Sequence, residues 1–175
     1  GGNWWSESYV IDSNGDEIGD MNYTIDSNNT DRYPLTNPWG SVYVKADGSV
    51  NPLSAPVQKN GDVYTLTDDV YHPVIVRKDN ITLDGAGHKI QGKGSVAYMT
   101  GLDLSLRKNV TAKNLNIKGF AHQGISLYNS IGNKILRNNL TSIAGYFAYS
   151  RSIWCSDSND NIFTHNDLAN SMVGF

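Results

Sequence analysis

Residues 132–140 read Gly-Asn-Lys-Ile-Leu-Arg-Asn-Asn-Leu, and residues 160–168 read Asp-Asn-Ile-Phe-Thr-His-Asn-Asp-Leu. The two nonamers superpose position by position. A turn former and an Asn open each, an apolar residue stands fourth, an Asn seventh and a Leu ninth. Two earlier stretches share the shape, Asn80-Ile-Thr-Leu-Asp-Gly and Asn109-Val-Thr-Ala-Lys-Asn-Leu-Asn-Ile. Leu83, Ala112, Ile135 and Phe163 are then equivalent, at spacings of 29, 23 and 28 residues. A second register aligns Ile117, Leu140 and Leu168, and it puts Asn138 and Asn166 at one place. Self-similarity at a period of 20–50 residues is the mark of a repeat architecture.

The apolar residues between the turn formers come in bursts of two to four. Val74-Ile75-Val76, Ile81-Thr82-Leu83, Leu102-Asp103-Leu104, Leu115-Asn116-Ile117 and Ile125-Ser126-Leu127 each read as a short strand. No segment keeps an apolar i, i+3, i+4, i+7 pattern, so helix is not expected. Gly, Asn and Asp between the bursts read as turns, because they tolerate positive φ. Short strands at this period describe the coils of a β-solenoid, stacked about 4.8 Å apart. Identical residues then lie above one another, and a stacked Asn can bond its side-chain amide to the next coil.

Composition bounds the reading. The chain of 175 residues carries 14 Lys+Arg against 17 Asp+Glu, and this balance lacks the basic excess of a nucleic-acid surface. No apolar run approaches 18 residues, so no membrane span is expected. The single cysteine, Cys155, excludes an internal disulfide framework and a Cys-based zinc site.

These residues carry a resemblance. Residues 40–175 resemble the parallel β-helix repeat family, and most of all its NosD-type branch. Gly40-Ser-Val-Tyr-Val-Lys-Ala-Asp-Gly-Ser-Val, Ala55-Pro56-Val57, Asp62-Val-Tyr-Thr-Leu and the stretch from Asn80 to Gly92 resemble the segment that leads into those helices. The resemblance implies an all-β, right-handed parallel β-helix, with a lead segment over 40–79 and coils over 80–175. Residues 3–39 resemble the segment that closes such a helix, here placed first: Asn3-Trp4-Trp5-Ser6, the stretch Asp12 to Asp20, and the stretch Tyr23 to Leu35. Residues 1–39 are therefore expected to form a cap-like segment. Two explanations stay open, a piece of a longer tandem β-helix protein, or a subunit whose cap completes the coil end of a neighbour.

Asp12, Asn14, Asp16, Ile18 and Asp20 form D-x-N-x-D-x-I-x-D. Oxygen ligands at alternate positions with one backbone carbonyl suit Ca²⁺. The pattern departs from an EF-hand, with Glu17 where glycine belongs and Tyr23 where a bidentate Glu belongs. Copper is not expected, because Met21, Met99 and Met172 and the four histidines are scattered.

Many parallel β-helix proteins resemble pectate lyases, polygalacturonases or uronate epimerases, which need clustered carboxylates. The Asp-Pro-His-Asp signature of the epimerases is absent here, and so is an Asp-Asp pair followed by Gly-His. Catalysis is therefore not the leading expectation. Arg137, Asp157 and His165 form the candidate sugar-binding face. Asn22 and Asn28 are the candidate glycosylation acceptors among five Asn-x-Ser/Thr sequons. The expected role is an extracellular or cell-envelope structural or adhesive module that self-associates head to tail. The alternative is a module that binds or cleaves uronate-type polysaccharide.

Overall fold

Turn-forming residues interrupt the chain every few positions, so strands stay short. The computed structural model describes residues 3, 5, 18–35, 40–93, 99–143 and 150–170, and these hold strands, bridges and turns without a helix. The chain divides into two units, Gly1–Ser41 and Val42–Phe175.

In the first unit, β1 (Tyr23–Thr24) and β2 (Thr30–Asp31) pair antiparallel. Asp26 closes their turn, its carboxylate accepting the N–H of Asn28 at 2.8 Å and the amide of Asn29 at 2.8 and 2.9 Å. Asp31 gathers the indole N–H of Trp5 at 3.0 Å and the backbone N–H of Asn3 at 3.0 Å. Trp5 also stacks on Tyr23 at 4.6 Å between ring centroids.

The second unit is a parallel β-helix. Two antiparallel hairpins lead into it: β3 (Val42–Val44) with β4 (Val50–Asn51), and β5 (Val57–Asn60) with β6 (Val63–Leu66). Four coils follow, each of three strands. They are β7 (Val74–Val76), β8 (Thr82–Asp84) and β9 (Lys89–Gln91), then β10 (Thr100–Asp103), β11 (Thr111–Lys113) and β12 (Asn116–Lys118). Next come β13 (Gln123–Tyr128), β14 (Lys134–Leu136) and β15 (Asn139–Thr141), and last β16 (Arg151–Ser156), β17 (Ile162–Thr164) and β18 (Asp167–Ala169). First strands stack in parallel in the order β3-β7-β10-β13-β16, second strands as β6-β8-β11-β14-β17, and third strands as β9-β12-β15-β18.

The register is the one the repeat predicts. Leu83, Ala112, Ile135 and Phe163 pair in succession, and so do Ile117, Leu140 and Leu168. Ile90 extends the second series downward. Every second side chain of a strand points inward, so each series becomes a column of the core. Val74, Leu102, Ile125 and Ile153 form one such column, all fully buried. Coil length varies at the third corner. Ile117 and Ile125 are joined by a short corner, Gly119–His122, whereas the connections from Ile90 to Leu102 and from Leu140 to Ile153 are longer. The two sheets on either side keep register through all of them.

The other corners repeat a backbone state. Asn114, Arg137 and His165 have φ of 54°, 54° and 56°, and Leu106, Asn129 and Asp157 have φ of 64°, 49° and 51°. The left-handed region costs an L-residue roughly 1–2 kcal/mol, least for Asn and Asp. Among the described residues, Asn80, Asn109, Asn114, Asn129 and Asn170 take this state.

Candidate functional site

Two corners of the helix are lined by asparagines whose side chains point inward. Asn133 and Asn138 are fully or nearly fully buried. Each reaches back one coil with both of its polar atoms. The Oδ1 of Asn133 accepts the N–H of Val110 at 2.8 Å and its Nδ2 donates to the carbonyl of Arg107 at 3.1 Å. Asn138 does the same with Leu115 at 3.0 Å and Ala112 at 3.1 Å. One coil further, Asn161 and Asn166 repeat both arrangements. The amides also bond each other, Asn133 to Asn161 at 3.0 Å and Asn138 to Asn166 at 3.1 Å. The turn carbonyls and N–H groups that a corner would leave unpaired are thereby satisfied. Among the described residues no buried side-chain polar atom lacks a partner.

The charged residues on the corners are likewise engaged from coil to coil. Arg77 pairs with Asp103 at 3.1 Å, Arg107 with Asp79 at 3.2 Å, and Lys113 with Asp84 at 3.0 Å. Asp79 also accepts the backbone N–H of Lys108 at 3.0 Å, and the Arg107 guanidinium donates to the carbonyl of Arg77 at 2.8 Å. Burial pushes the carboxyl of Asp84 upward, but the Ala86 N–H, the Asn114 amide and Lys113 together hold it below the ordinary aspartate value.

At the foot of the third sheet, Asp68, Asp69 and His88 bring one ligand atom each within 4.8 Å of one another. This grouping was not legible in the sequence, where Asp68 and Asp69 read as part of the lead segment. Val70 bridges Ile90 in parallel, and that pairing carries the acidic pair onto the edge of β9. The oxygens of Asp69 are already in use. Oδ1 accepts the N–H of Lys89 at 2.9 Å and Oδ2 takes its ammonium at 3.2 Å. The backbone donor, then the lysine, holds the Asp69 carboxyl below its ordinary value. Oδ1 of Asp68 accepts the N–H of Asp69 at 2.7 Å. A cation here would displace Lys89, and Ca²⁺ wants six to eight oxygens. The three side chains form a group that could hold a metal ion, with the Asp69 carboxylate engaged by Lys89.

The residues singled out from the sequence fall as follows. Asp12, Asn14 and Asp16 lie outside the described residues. Ile18 bridges Leu35 antiparallel, and Gly19 donates to the carbonyl of Pro34 at 2.7 Å, so the end of that loop is tied to the chain that follows it. Asp20 is exposed, and so are Asn22 and Asn28. Arg137 and His165 share one corner on adjacent coils, both exposed, with the Arg137 N–H bonded to the Thr164 carbonyl at 3.0 Å. Asp157 stands at a different corner, between the first and second sheets, with β17 intervening. The structure therefore brings two of the three together and not the third.

Comparison with known protein families, with curated proteins and with solved structures finds no match. The architecture itself is an all-β stack of parallel sheets.

Proposed function

We propose that this chain is an extracellular structural or adhesive β-helix module of NosD-like type. The observation that supports this most directly is the use of its polar side chains. Arg77–Asp103, Arg107–Asp79, Lys113–Asp84 and the two asparagine ladders all join one coil to the next. Chemistry invested between coils yields a stiff scaffold. A catalytic centre instead needs groups that converge on a reacting atom.

Self-association head to tail is part of the same reading. On the last described coil, Phe163 and Leu168 are only partly buried and Cys155 is exposed, although their register partners Ile135, Leu140 and Leu127 are buried. A contact that uses unlike surfaces propagates instead of closing. The loop Asp12–Asp20 is assigned to Ca²⁺ on its alternating oxygen ligands, as a brace for the first unit.

Sedimentation velocity over a range of concentrations, with Ca²⁺ and with a chelator, tests both parts. Concentration-dependent growth that Leu168→Asp abolishes in a still folded chain is the expected result. A monomer at every concentration would refute assembly. Calorimetry without a Ca²⁺ heat at millimolar ion would remove the Ca²⁺ assignment.

A further inference from the structure

Among the described residues, Asp68, Asp69 and His88 form the group in which an imidazole and two carboxylates converge. Neither the asparagine ladders nor the ion pairs between coils use it. His88 Nδ1 stands 3.7 Å from Asp69 Oδ1. Two ligands at about 2.0–2.1 Å on a tetrahedral ion stand about 3.3 Å apart. Closing this pair onto an ion therefore asks for a movement of a few tenths of an ångström.

The group comes from two segments that the fold holds in place. Asp68 and Asp69 stand just before Val70, which bridges Ile90 in parallel. The Val70 N–H donates to the Lys89 carbonyl at 2.7 Å, and the Gln91 N–H donates to the Val70 carbonyl at 2.7 Å. The His88 N–H donates to the Gly85 carbonyl at 2.8 Å, and the His88 carbonyl accepts the Asn116 N–H at 3.1 Å. The backbone on both sides is thus fixed before an ion arrives, as a precise site requires.

The ligand atoms select the ion. Asp68 uses Oδ1 on the Asp69 N–H at 2.7 Å, which leaves Oδ2 to coordinate. Asp69 Oδ1 accepts the Lys89 N–H at 2.9 Å, the kind of outer hydrogen bond that orients a ligating carboxylate. A nitrogen ligand disfavours Ca²⁺ and Mg²⁺, which take oxygen, and suits Zn²⁺. Three protein ligands leave a fourth position for water. The Lys89 ammonium lies on Asp69 Oδ2 at 3.2 Å, on a side chain 48% exposed. Its flexible stem lets it turn into solvent when an ion takes the carboxylate.

We propose that Asp68, Asp69 and His88 bind one Zn²⁺ ion, which pins the lead segment to the start of β9 and displaces the Lys89 ammonium. This inference does not rest on the Ca²⁺ loop at Asp12–Asp20 or on self-association.

The test is calorimetry of the whole chain titrated with Zn²⁺ in millimolar Ca²⁺, so that the loop at Asp12–Asp20 takes up no titrant. One site per chain is expected. Asp68→Asn and His88→Gln should each weaken binding by about tenfold or more, since loss of even an outer partner of a metal ligand costs that much. Lys89→Met keeps the stem and removes the competing charge, and it should tighten binding by about threefold. His165→Ala, at an exposed histidine on the last coil, should change nothing. Zn²⁺ should raise the melting temperature of the parent chain and leave that of Asp68→Asn in place. Circular dichroism of each variant before titration separates loss of the site from loss of the fold. Absence of a saturable Zn²⁺ heat overturns the proposal. So does binding that survives both Asp68→Asn and His88→Gln, or binding that His165→Ala removes. Weaker binding by Lys89→Met would overturn the displacement of its ammonium.

Discussion

The side-chain amide of Asn138 donates to Oδ1 of Asn166 on the next coil at 3.1 Å, and that same oxygen accepts the backbone N–H of Asn138 at 2.9 Å. Asn138 in turn holds Leu115 and Ala112 on the coil before. One side chain thus ties three coils.

Asn138→Ala should therefore cost more than its size suggests. It strands the Leu115 N–H and the Ala112 carbonyl in a buried corner, at about 1–3 kcal/mol for each unsatisfied group. A loss of about 2–4 kcal/mol in urea unfolding is expected. Asn139→Ala, next in sequence but exposed, should stay within about 0.5 kcal/mol. Equal effects at the two positions would refute the ladder account.

Gly124 is enclosed by the backbone of the next coil and by core side chains of its own coil. A Cβ there would meet the Ser152 carbonyl at 2.5 Å and Leu140 Cδ2 at 2.7 Å. The first obstacle is backbone and cannot rotate away. Gly124→Ala should destabilise by about 1–3 kcal/mol, read as a lower midpoint in the same denaturant titration.

Leu106 holds φ of 64° and is 57% exposed, in the column where Asn129 and Asp157 stand on later coils. Leu106→Asn relieves a conformation that leucine disfavours and removes little packing. A gain of about 0.5–1 kcal/mol is expected, visible as a higher melting temperature. A fall in melting temperature would mean that Leu106 contributes packing that its exposure does not reveal.

The clamp of Asp69 on Lys89 gives stability a pH dependence. A carboxyl held below its ordinary value favours the folded state above the unfolded value of about 3.9. That contribution fades as pH falls through the lowered value. Asp69→Asn should therefore melt below the parent chain near neutral pH, and the two melting curves should converge in strong acid. A difference that persists unchanged into acid would show that the Asp69 charge plays no part.

The repeat was legible wherever coils share one length between equivalent residues. Leu83, Ala112, Ile135 and Phe163 could be aligned because each is followed or preceded by the same turn chemistry. Ile90 escaped that alignment. The corner Asp84–His88 holds two more residues than the corners at Asn114, Arg137 and His165, and the extra length hides the match. Asn138 and Asn166 were visible as a pair because identical residues recur at an identical place. The charged contacts were not visible. Arg77 and Asp103 lie 26 residues apart in unlike local sequence, and only the stacking of β7 under β10 brings them together. Asp157 is grouped with His165 on proximity in the chain, whereas Arg137 and His165 share a repeat position before the ladder asparagine. Three residues of strand suffice to carry it to another corner.

The backbone bonds between coils, the asparagine ladders and the inter-coil ion pairs all point along the helix axis. Tension along that axis loads the coils in series, while within each junction the bonds share the load side by side. Rupture then has to break a whole junction at once, and the weakest junction sets the limit. The junction between the second and third coils has the Ser105–Ser126 contact on its outer face, where the one before it has an ion pair. Beside the backbone bonds, its side-chain links are that contact and the amides of Asn133 and Asn138.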